Sequence, residues 1–182
     1  MQSYTLLLNF WVITKSATMS DLYVSWEEYH ASIEKLAAQI YQSQWEFDQI
    51  LCLARGGLRI GDMLSRIYNK PLAILSTSSY GGKDFQERGE LTIASNITMT
   101  TDTLGKRILL VDDLVDSGVT MMRILEWLRQ HEEFAITEVR SAVLWFKACS
   151  VAKPDYYVDF LDDNPWIHQP FEKYEKLNPS DL

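Results

Sequence analysis

The sequence contains only two cysteines and has no excess of positive charge. Cys52 and Cys149 are far apart and form no C-x-x-C pair, which argues against a zinc site or a disulfide. We expect two buried free thiols in a reducing compartment. The 17 basic and 25 acidic side chains give a net charge of -8, which disfavours nucleic acid or an anionic membrane as a partner. The composition therefore predicts a cytoplasmic protein.

The chain also lacks a long apolar run and the common nucleotide-binding motifs. Residues 6–13 are mostly apolar, but they are too few to span a bilayer, and the first lysine, Lys15, follows them. We expect residues 1–18 to be an N-terminal extension of unknown role, unless Met19 is the natural start. Neither G-x-x-x-x-G-K-[ST] nor G-x-G-x-x-G occurs, which excludes P-loop nucleoside triphosphatases and dinucleotide-binding folds.

What the sequence does contain is a regular alternation of strand and helix patterns. Apolar runs predict strands at residues 49–54, 72–75, 107–111, 139–146 and 156–160, and apolar residues at helical spacing follow Ser25, Gly57 and Thr120. We expect a mobile loop at residues 76–89, a β-rich region at 91–99 and an irregular tail from residue 164. The alternation predicts an α/β fold with a mostly parallel sheet and helices on both faces, in a single domain over residues 19–182.

One strand-to-helix junction carries most of the chemistry. The decapeptide VDDLVDSGVT (residues 111–120) places three aspartates and a Ser-Gly step directly after a buried strand. Ligands of parallel sheets bind beyond the carboxyl ends of the strands, where the turn Arg55-Gly56-Gly57 also lies. We therefore expect the two turns to meet at one edge of the sheet.

The chemistry of the junction indicates a phosphorylated sugar. Small residues at 116–120 expose backbone N–H groups at a helix start, and the hydroxyls of Ser117 and Thr120 add donors for an anion. The carboxylates of Asp112 and Asp113 repel phosphate, but they suit the hydroxyls of a sugar diol or a magnesium ion. A phosphate and a diol together indicate a ribose 5-phosphate.

The segment LVDDLVDSGVT (residues 110–120) resembles the phosphoribosyl pyrophosphate (PRPP) motif of the type I phosphoribosyltransferases. The chain is most similar to the bacterial xanthine-guanine phosphoribosyltransferases. LARGGL (53–58) resembles their pyrophosphate loop, SSY (78–80) the start of their flexible catalytic loop, and WIHQPFE (166–172) their purine-covering hood. MSDLYVSW (19–26) is similar to their amino terminus. The resemblance implies the type I phosphoribosyltransferase fold, with a hood at about residues 155–175.

The resemblance also implies which residues bind PRPP. Asp112 and Asp113 would hold the ribose hydroxyls, with Asp113 near Mg²⁺; the helix start would hold the 5-phosphate, and the Arg55 loop, often with a cis peptide, the pyrophosphate. The implied set is Arg55, Gly56, Gly57, Ser79, Tyr80, Asp112, Asp113, Asp116, Ser117, Gly118, Val119 and Thr120. Closure of the Ser79-Tyr80 loop would exclude water, and Arg88 from the same loop would reach the leaving group.

A second group of residues would bind the purine. Asp116 would handle the proton at purine N7, or it would brace the phosphate loop instead. Lys147 would donate to a 6-oxo group, the alternative being an ordinary solvated surface lysine. Trp166 would stack on the base and the carbonyl of Ile167 would read a 2-substituent, although an aromatic residue in a tail is more often part of a core.

The resemblance implies a Mg²⁺-dependent enzyme of purine salvage that converts PRPP and an oxopurine into a nucleotide and pyrophosphate, in a dimer or tetramer. Ser117, Val119, His168 and the pair Phe171-Glu172 depart from the commoner residues, which leaves open the choice among guanine, xanthine and hypoxanthine. A phosphoribosyltransferase for another nucleobase and a PRPP-sensing regulator on the same fold are the alternatives. The acidic net charge and the absence of a basic cluster argue against a regulator that binds nucleic acid.

Overall fold

A computed structural model of the protein describes residues 21–79 and 91–182. These residues form nine strands: β1 (Leu22–Tyr23), β2 (Gln49–Ala54), β3 (Leu72–Ser79), β4 (Leu91–Met99), β5 (Arg107–Val111), β6 (Leu114–Val115), β7 (Glu138–Lys147), β8 (Tyr156–Leu161) and β9 (Ile167–His168). The main sheet has the order β4-β3-β2-β5-β7-β6, and β8 also pairs with β7. Of these pairings only β3 with β4 is antiparallel, so the mostly parallel sheet expected from the sequence is confirmed.

Both faces of the central strands are buried, which explains why the sequences of these strands are continuous apolar runs. Ile50 and Cys52 of β2 belong to one core cluster, together with α1 (Trp26–Gln42) and α2 (Leu58–Tyr68). Leu51 and Leu53 belong to the opposite cluster, together with α3 (Val119–Gln130). Helices therefore cover both faces of the sheet, as expected.

Local signals in the sequence set the helix ends. At the start of α1, the Ser25 hydroxyl accepts the backbone N–H of Glu28, and the Glu28 carboxylate accepts the N–H of Ser25. At the end of α2, Asn69 takes a left-handed conformation with φ of 50°. The start of α3 is set by Gly118, which belongs to the functional site.

The structure corrects one expectation about the less regular parts of the chain. Residues 76–79, expected in a loop, continue β3: Ser76 pairs with Ala54 of β2, and residues 77–79 pair with β4 after a register shift between Leu75 and Thr77. The region at 155–175, expected as a hood, is divided: β8 belongs to the main sheet, whereas β9 pairs in parallel with β1 in a separate two-stranded sheet. The extension 1–18 and most of the expected mobile loop lie outside the described residues.

No helix within residues 21–79 and 91–182 has both the length and the apolar character needed to cross a bilayer.

Candidate functional site

The two glycine-containing turns lie side by side at one edge of the sheet. Cys52 of β2 is in register with Val111 of β5, so the loop at 55–57 begins beside the segment 112–120. A Cβ atom on Gly57 would collide with the backbone carbonyl of Val111, so only glycine allows the loop to lie this close to the end of β5. The peptide between Ala54 and Arg55 is cis, as the family resemblance implies.

Asp112 and Asp113 form an acidic pair that is held in place by hydrogen bonds of the backbone. The Asp113 N–H donates to Oδ1 of Asp112 at 3.0 Å, and the Asp113 carbonyl accepts from the N–H groups of Leu144 at 3.0 Å and Trp145 at 3.2 Å. Burial raises the pKa of the Asp112 carboxyl well above its usual value, and the neighbouring Asp113 charge raises it further. The site therefore concentrates negative charge that hydroxyl donors or a cation would relieve.

The start of α3 has the features of an anion-binding site. Gly118 precedes the helix with φ of 78°, a left-handed conformation that favours glycine. As the N-cap residue, Gly118 has no side chain that could bond the first turn, so the backbone N–H groups there can bind a ligand. Ser117 is fixed by its carbonyl, which accepts the N–H of Val151 at 3.0 Å. Ser117 and Thr120 are half-buried and Val119 is exposed, so this segment is not sealed inside the core.

Lys147 and Asp116 form an ion pair across the edge of the sheet. Nζ of Lys147 lies 3.3 Å from Oδ1 of Asp116, and the Lys147 side chain is only 9% exposed. Lys147 is therefore not an ordinary solvated surface lysine. The hydrogen bonds and ion pairs of the Asp116 carboxylate go to Lys147 and Cys149. Neither of these two contacts is to the backbone of residues 117–120.

Cys149 lies at this site, and the expectation that it is buried is wrong. Its side chain is exposed, and Sγ lies 3.5 Å from the Asp116 carbonyl oxygen and 3.8 Å from Oδ1 of Asp116. Cys149 lies two residues beyond the end of β7, where the chain turns out of the sheet, so apolar neighbours in sequence do not bury it. The other thiol, Cys52, is buried as expected.

The segment 166–168 is anchored to the N-terminal strand. The carbonyls of Trp166 and His168 accept the N–H groups of Leu22 at 2.8 Å and Val24 at 3.0 Å. Because strand carbonyls alternate in direction, the carbonyl of Ile167 points away from β1. The Trp166 side chain is 57% exposed, which excludes the alternative that it is a core residue.

Three side chains absent from the sequence expectations join the C-terminal segment to the site. Nε2 of Gln169 donates a hydrogen bond to the Asp113 carboxylate. Nη2 of Arg55 lies 3.2 Å from Oε1 of Glu175, and the Arg59 guanidinium stacks 4.0 Å from the centre of the Phe171 ring. Arg59 could have been noticed because it falls in the helix turn after Gly57, but no local pattern indicates the contacts of Gln169 or Glu175.

His168 marks a departure from the family pattern. Its Nε2 lies 3.1 Å from the carboxylate of Asp21, and its Nδ1 lies 3.5 Å from the carboxylate of Glu172. The ring stacks on Tyr23 with centroids 4.3 Å apart. A histidine between two carboxylates and an aromatic ring therefore stands where the family more often has an acid.

Some of the expected site residues have no described position. Tyr80 and Arg88 lie outside the described residues, and Ser79 is the last residue of β3. The remaining residues expected to bind PRPP lie on the two adjoining turns, and Lys147 lies beside them through its contact with Asp116.

Comparisons with known proteins agree with this arrangement. Residues 25–176 match the model of the phosphoribosyl transferase domain. The chain is 29% identical to xanthine-guanine phosphoribosyltransferase of Idiomarina loihiensis, over 85% of this chain and 88% of that protein. It is 29% identical to the enzyme of the same name from Gluconobacter oxydans, over 82% and 83%.

A solved structure gives the same result. The fold superimposes on the purine phosphoribosyltransferase of Pyrococcus horikoshii with a TM-score of 0.67 and 28% identity, covering 84% of this chain and 94% of that one. The family model covers most of the chain, including both turns, Lys147 and the segment up to Glu175. The chain therefore belongs to the phosphoribosyl transferase domain family.

Proposed function

We propose that the protein transfers the 5-phosphoribosyl group of PRPP to a 6-oxopurine in purine salvage, giving a nucleoside monophosphate and pyrophosphate. The observation that carries the choice of base is the ion pair of Lys147 and Asp116, with 3.3 Å between its charged atoms. The two relatives named xanthine-guanine phosphoribosyltransferases and the purine phosphoribosyltransferase structure support the same substrate class.

The ion pair matches one edge of a 6-oxopurine. The 6-oxo group, an acceptor, and N7 are neighbours on that edge of the base. Nζ of Lys147 donates to the oxo group while the carboxylate of Asp116 accepts a proton at N7. Adenine presents an amino donor where the oxopurine presents its acceptor, so Lys147 selects against adenine. Trp166 covers the face of the base, and the Ile167 carbonyl accepts from a 2-substituent.

The adjoining turns hold the other substrate. Asp112 and Asp113 accept hydrogen bonds from the ribose 2- and 3-hydroxyls, and the N–H groups of residues 117–120 bind the 5-phosphate. The Arg55 loop takes the pyrophosphate, where a guanidinium offers a fork of donors and the glycines allow close approach of the backbone.

The reaction exchanges one bond at the anomeric carbon. The bond from this carbon to the pyrophosphate oxygen breaks, a bond to a purine nitrogen forms, and a purine proton leaves. Asp116 accepts that proton, and the charge of Lys147 stabilises its carboxylate. Closure of the Ser79-Tyr80 loop over the site, with Arg88 reaching the leaving group, would keep water from hydrolysing PRPP.

Magnesium is part of the proposal because the donor set fits it. Among residues 21–79 and 91–182, no group of three or more His, Cys, Asp or Glu side chains could cage a metal ion. Mg²⁺ at phosphate-binding sites commonly takes one or two carboxylates and completes its shell with substrate oxygens and water. Asp113 is the proposed protein ligand. The bound ion would neutralise charge on the pyrophosphate.

We propose a cytoplasmic location, consistent with reduced cysteines and soluble substrates, and a dimer or tetramer with neither nucleic acid nor membrane as a partner. The oligomeric state can be checked directly by light scattering during size-exclusion chromatography.

The test is a Mg²⁺-dependent assay of PRPP consumption with guanine, xanthine, hypoxanthine, adenine and uracil in parallel. We expect turnover with oxopurines and little with adenine or uracil. Lys147→Met should raise the KM for the oxopurine about ten- to a hundredfold, the effect of losing a hydrogen bond to a charged group. Its KM for PRPP should stay unchanged. Turnover of adenine at the rate of guanine would support a different nucleobase enzyme, and no turnover with any base would support the regulator.

A further inference from the structure

A cleft of about 450 Å³ lies between the pyrophosphate loop and the C-terminal segment. Arg55 and Gly56 form one wall, with Arg59 in the first turn of α2 beside them, and Asp113 and Phe171 lie among the other lining residues. The cleft therefore contains two arginines, of which the sequence indicated only Arg55 as a binding residue.

The two arginines differ in their partners. The charge of Arg55 is paired with Glu175 at 3.2 Å, whereas within residues 21–79 and 91–182 no carboxylate forms an ion pair with Arg59. The guanidinium carbon of Arg59 lies over the Phe171 ring, 4.0 Å from its centre. Stacking uses the face of a guanidinium and leaves the N–H groups at its edges able to bind an oxyanion.

The ring under Arg59 is held in place by other aromatic residues. Tyr29, which is fully buried, meets Phe171 edge-on with centroids 5.7 Å apart, and Trp26 lies 6.2 Å from Phe171 on the same side. Burial raises the pKa of the Tyr29 hydroxyl, the Asp113 charge raises it further, and the Arg59 charge opposes the shift. Arg59 and Asp113 line the same cleft, so the arginine shares it with a carboxylate of the acidic pair.

We propose that Arg59 is a second binding residue for the pyrophosphate group, acting beside Arg55. The inference rests on the proposed function and assigns to Arg59 the recognition of the leaving group. Arg59 also lies in the first turn of α2, where the helix dipole favours an anion. The alternative role for Arg59 is a purely structural latch that holds Phe171 and the hood in place.

Equilibrium binding separates the two roles. Inorganic pyrophosphate and guanosine 5′-monophosphate are titrated separately into the full chain in MgCl₂ buffer and followed by calorimetry. The variants are Arg59→Gln, which removes the charge; Arg59→Met, which keeps an apolar side chain on the ring; and Phe171→Leu, which removes the ring and keeps the charge. Arg66→Gln is the matched control, because Arg66 is exposed on the same helix and paired with Asp62 at 3.0 Å.

We expect Arg59→Gln and Arg59→Met to raise the Kd for pyrophosphate about ten- to a hundredfold, as for the loss of a charge-assisted hydrogen bond. The Kd for the nucleotide should stay within about twofold. Phe171→Leu should raise the Kd for pyrophosphate less than Arg59→Gln does. Arg66→Gln should change the Kd for neither ligand. In the assay, Arg59→Gln should raise the KM for PRPP and leave that for the base unchanged.

The inference is overturned if pyrophosphate binds Arg59→Gln and Arg59→Met as tightly as it binds the wild type. It is also overturned if Phe171→Leu reproduces every effect of Arg59→Gln, since that is the behaviour of a latch. Failure of the proposed function looks different: the wild type would then convert no base, whatever the effect of Arg59 on pyrophosphate binding.

Discussion

At the scale of single residues, the acidic pair Asp112 and Asp113 favours binding of a ligand and lowers the stability of the protein. The Asp112 carboxyl is held in a partly buried position beside Asp113, and its pKa is raised by burial and by the neighbouring charge. An ionised carboxylate there destabilises the unliganded protein. Hydroxyl donors of a bound ribose would offset that cost, so relief of this destabilisation would add to the affinity for the ligand.

This opposition predicts the behaviour of Asp112→Asn. Because the folded-state pKa of Asp112 is above the unfolded one, the folded protein binds more protons, and its stability falls as pH rises through the raised pKa. The amide keeps the acceptor for the Asp113 N–H. Asp112→Asn should therefore melt a few degrees higher at neutral pH, where about 1 kcal/mol corresponds to about 2–4 °C for a chain of this length.

Thermal melts of the wild type and Asp112→Asn between mildly acidic and neutral pH measure this difference in melting temperature directly. The two curves should converge as pH falls, because the wild-type carboxyl then becomes neutral too. The variant should also bind PRPP more weakly. A variant that is less stable than the wild type at neutral pH would contradict this description of the pair.

The two thiols provide a second test at this scale. Burial raises the pKa of Cys52 to about 12, whereas Cys149 is exposed beside Asp116. A thiol reagent such as dithiobisnitrobenzoate should label one thiol in the native protein and two after denaturation, since reactivity requires access and ionisation. Guanosine monophosphate should slow the labelling of Cys149 because the base would cover Asp116.

Cys149→Ser is the control for this measurement and should leave no rapidly reacting thiol. Equal reaction of both cysteines in the native protein would mean that Cys52 is not buried. Labelling of Cys149 that is indifferent to saturating nucleotide would argue that the base does not bind beside Asp116.

At the scale of elements, the start of α3 depends on one glycine. Gly118 has φ of 78°, and a Cβ there would come within 2.7 Å of the Ala152 backbone nitrogen. We expect Gly118→Ala to lower the free energy of unfolding by about 1–3 kcal/mol and to weaken PRPP binding, because the phosphate-binding N–H groups move with the turn.

A matched variant separates these two effects. Ser25→Ala removes the N-cap of α1 and should lower the free energy of unfolding by about 1 kcal/mol, without a change in the phosphate-binding turn. If Ser25→Ala retains the wild-type KM for PRPP and Gly118→Ala does not, the effect of Gly118 is local. Equal KM values for Gly118→Ala and the wild type would show that the helix start does not bind the phosphate.

The same scale shows what could be predicted from the sequence. The strand, turn and helix around residues 107–130 have local signals, namely a buried apolar run, a glycine and apolar residues at helical spacing, and they form as expected. The extension of β3 from Ser76 to Ser79 was missed because its polar residues resemble a loop, and pairing with β2 and β4 makes them a strand. The two-residue pairing of β1 with β9 joins distant parts of the chain and has no local signal.

At the scale of the whole molecule, the fold brings together residues that the sequence could only place at strand ends. The adjoining order of β2 and β5 places the Arg55 loop beside Asp113, and the length of β7 places Lys147 against Asp116. The contact of Gln169 with Asp113 spans 56 residues of the chain, and that of Glu175 with Arg55 spans 120. They depend on how the C-terminal segment folds back, so a local pattern could not indicate them.

The central claim is that one edge of the sheet grips a ribose diol with its acidic pair and the 5-phosphate with the start of α3. The most direct test is a crystal structure of the protein with guanosine 5′-monophosphate. We predict the phosphate on the backbone N–H groups of residues 117–120, the ribose hydroxyls on Asp112 and Asp113, and the base beside Lys147. A nucleotide bound elsewhere, or one with its phosphate away from the start of α3, would contradict the claim.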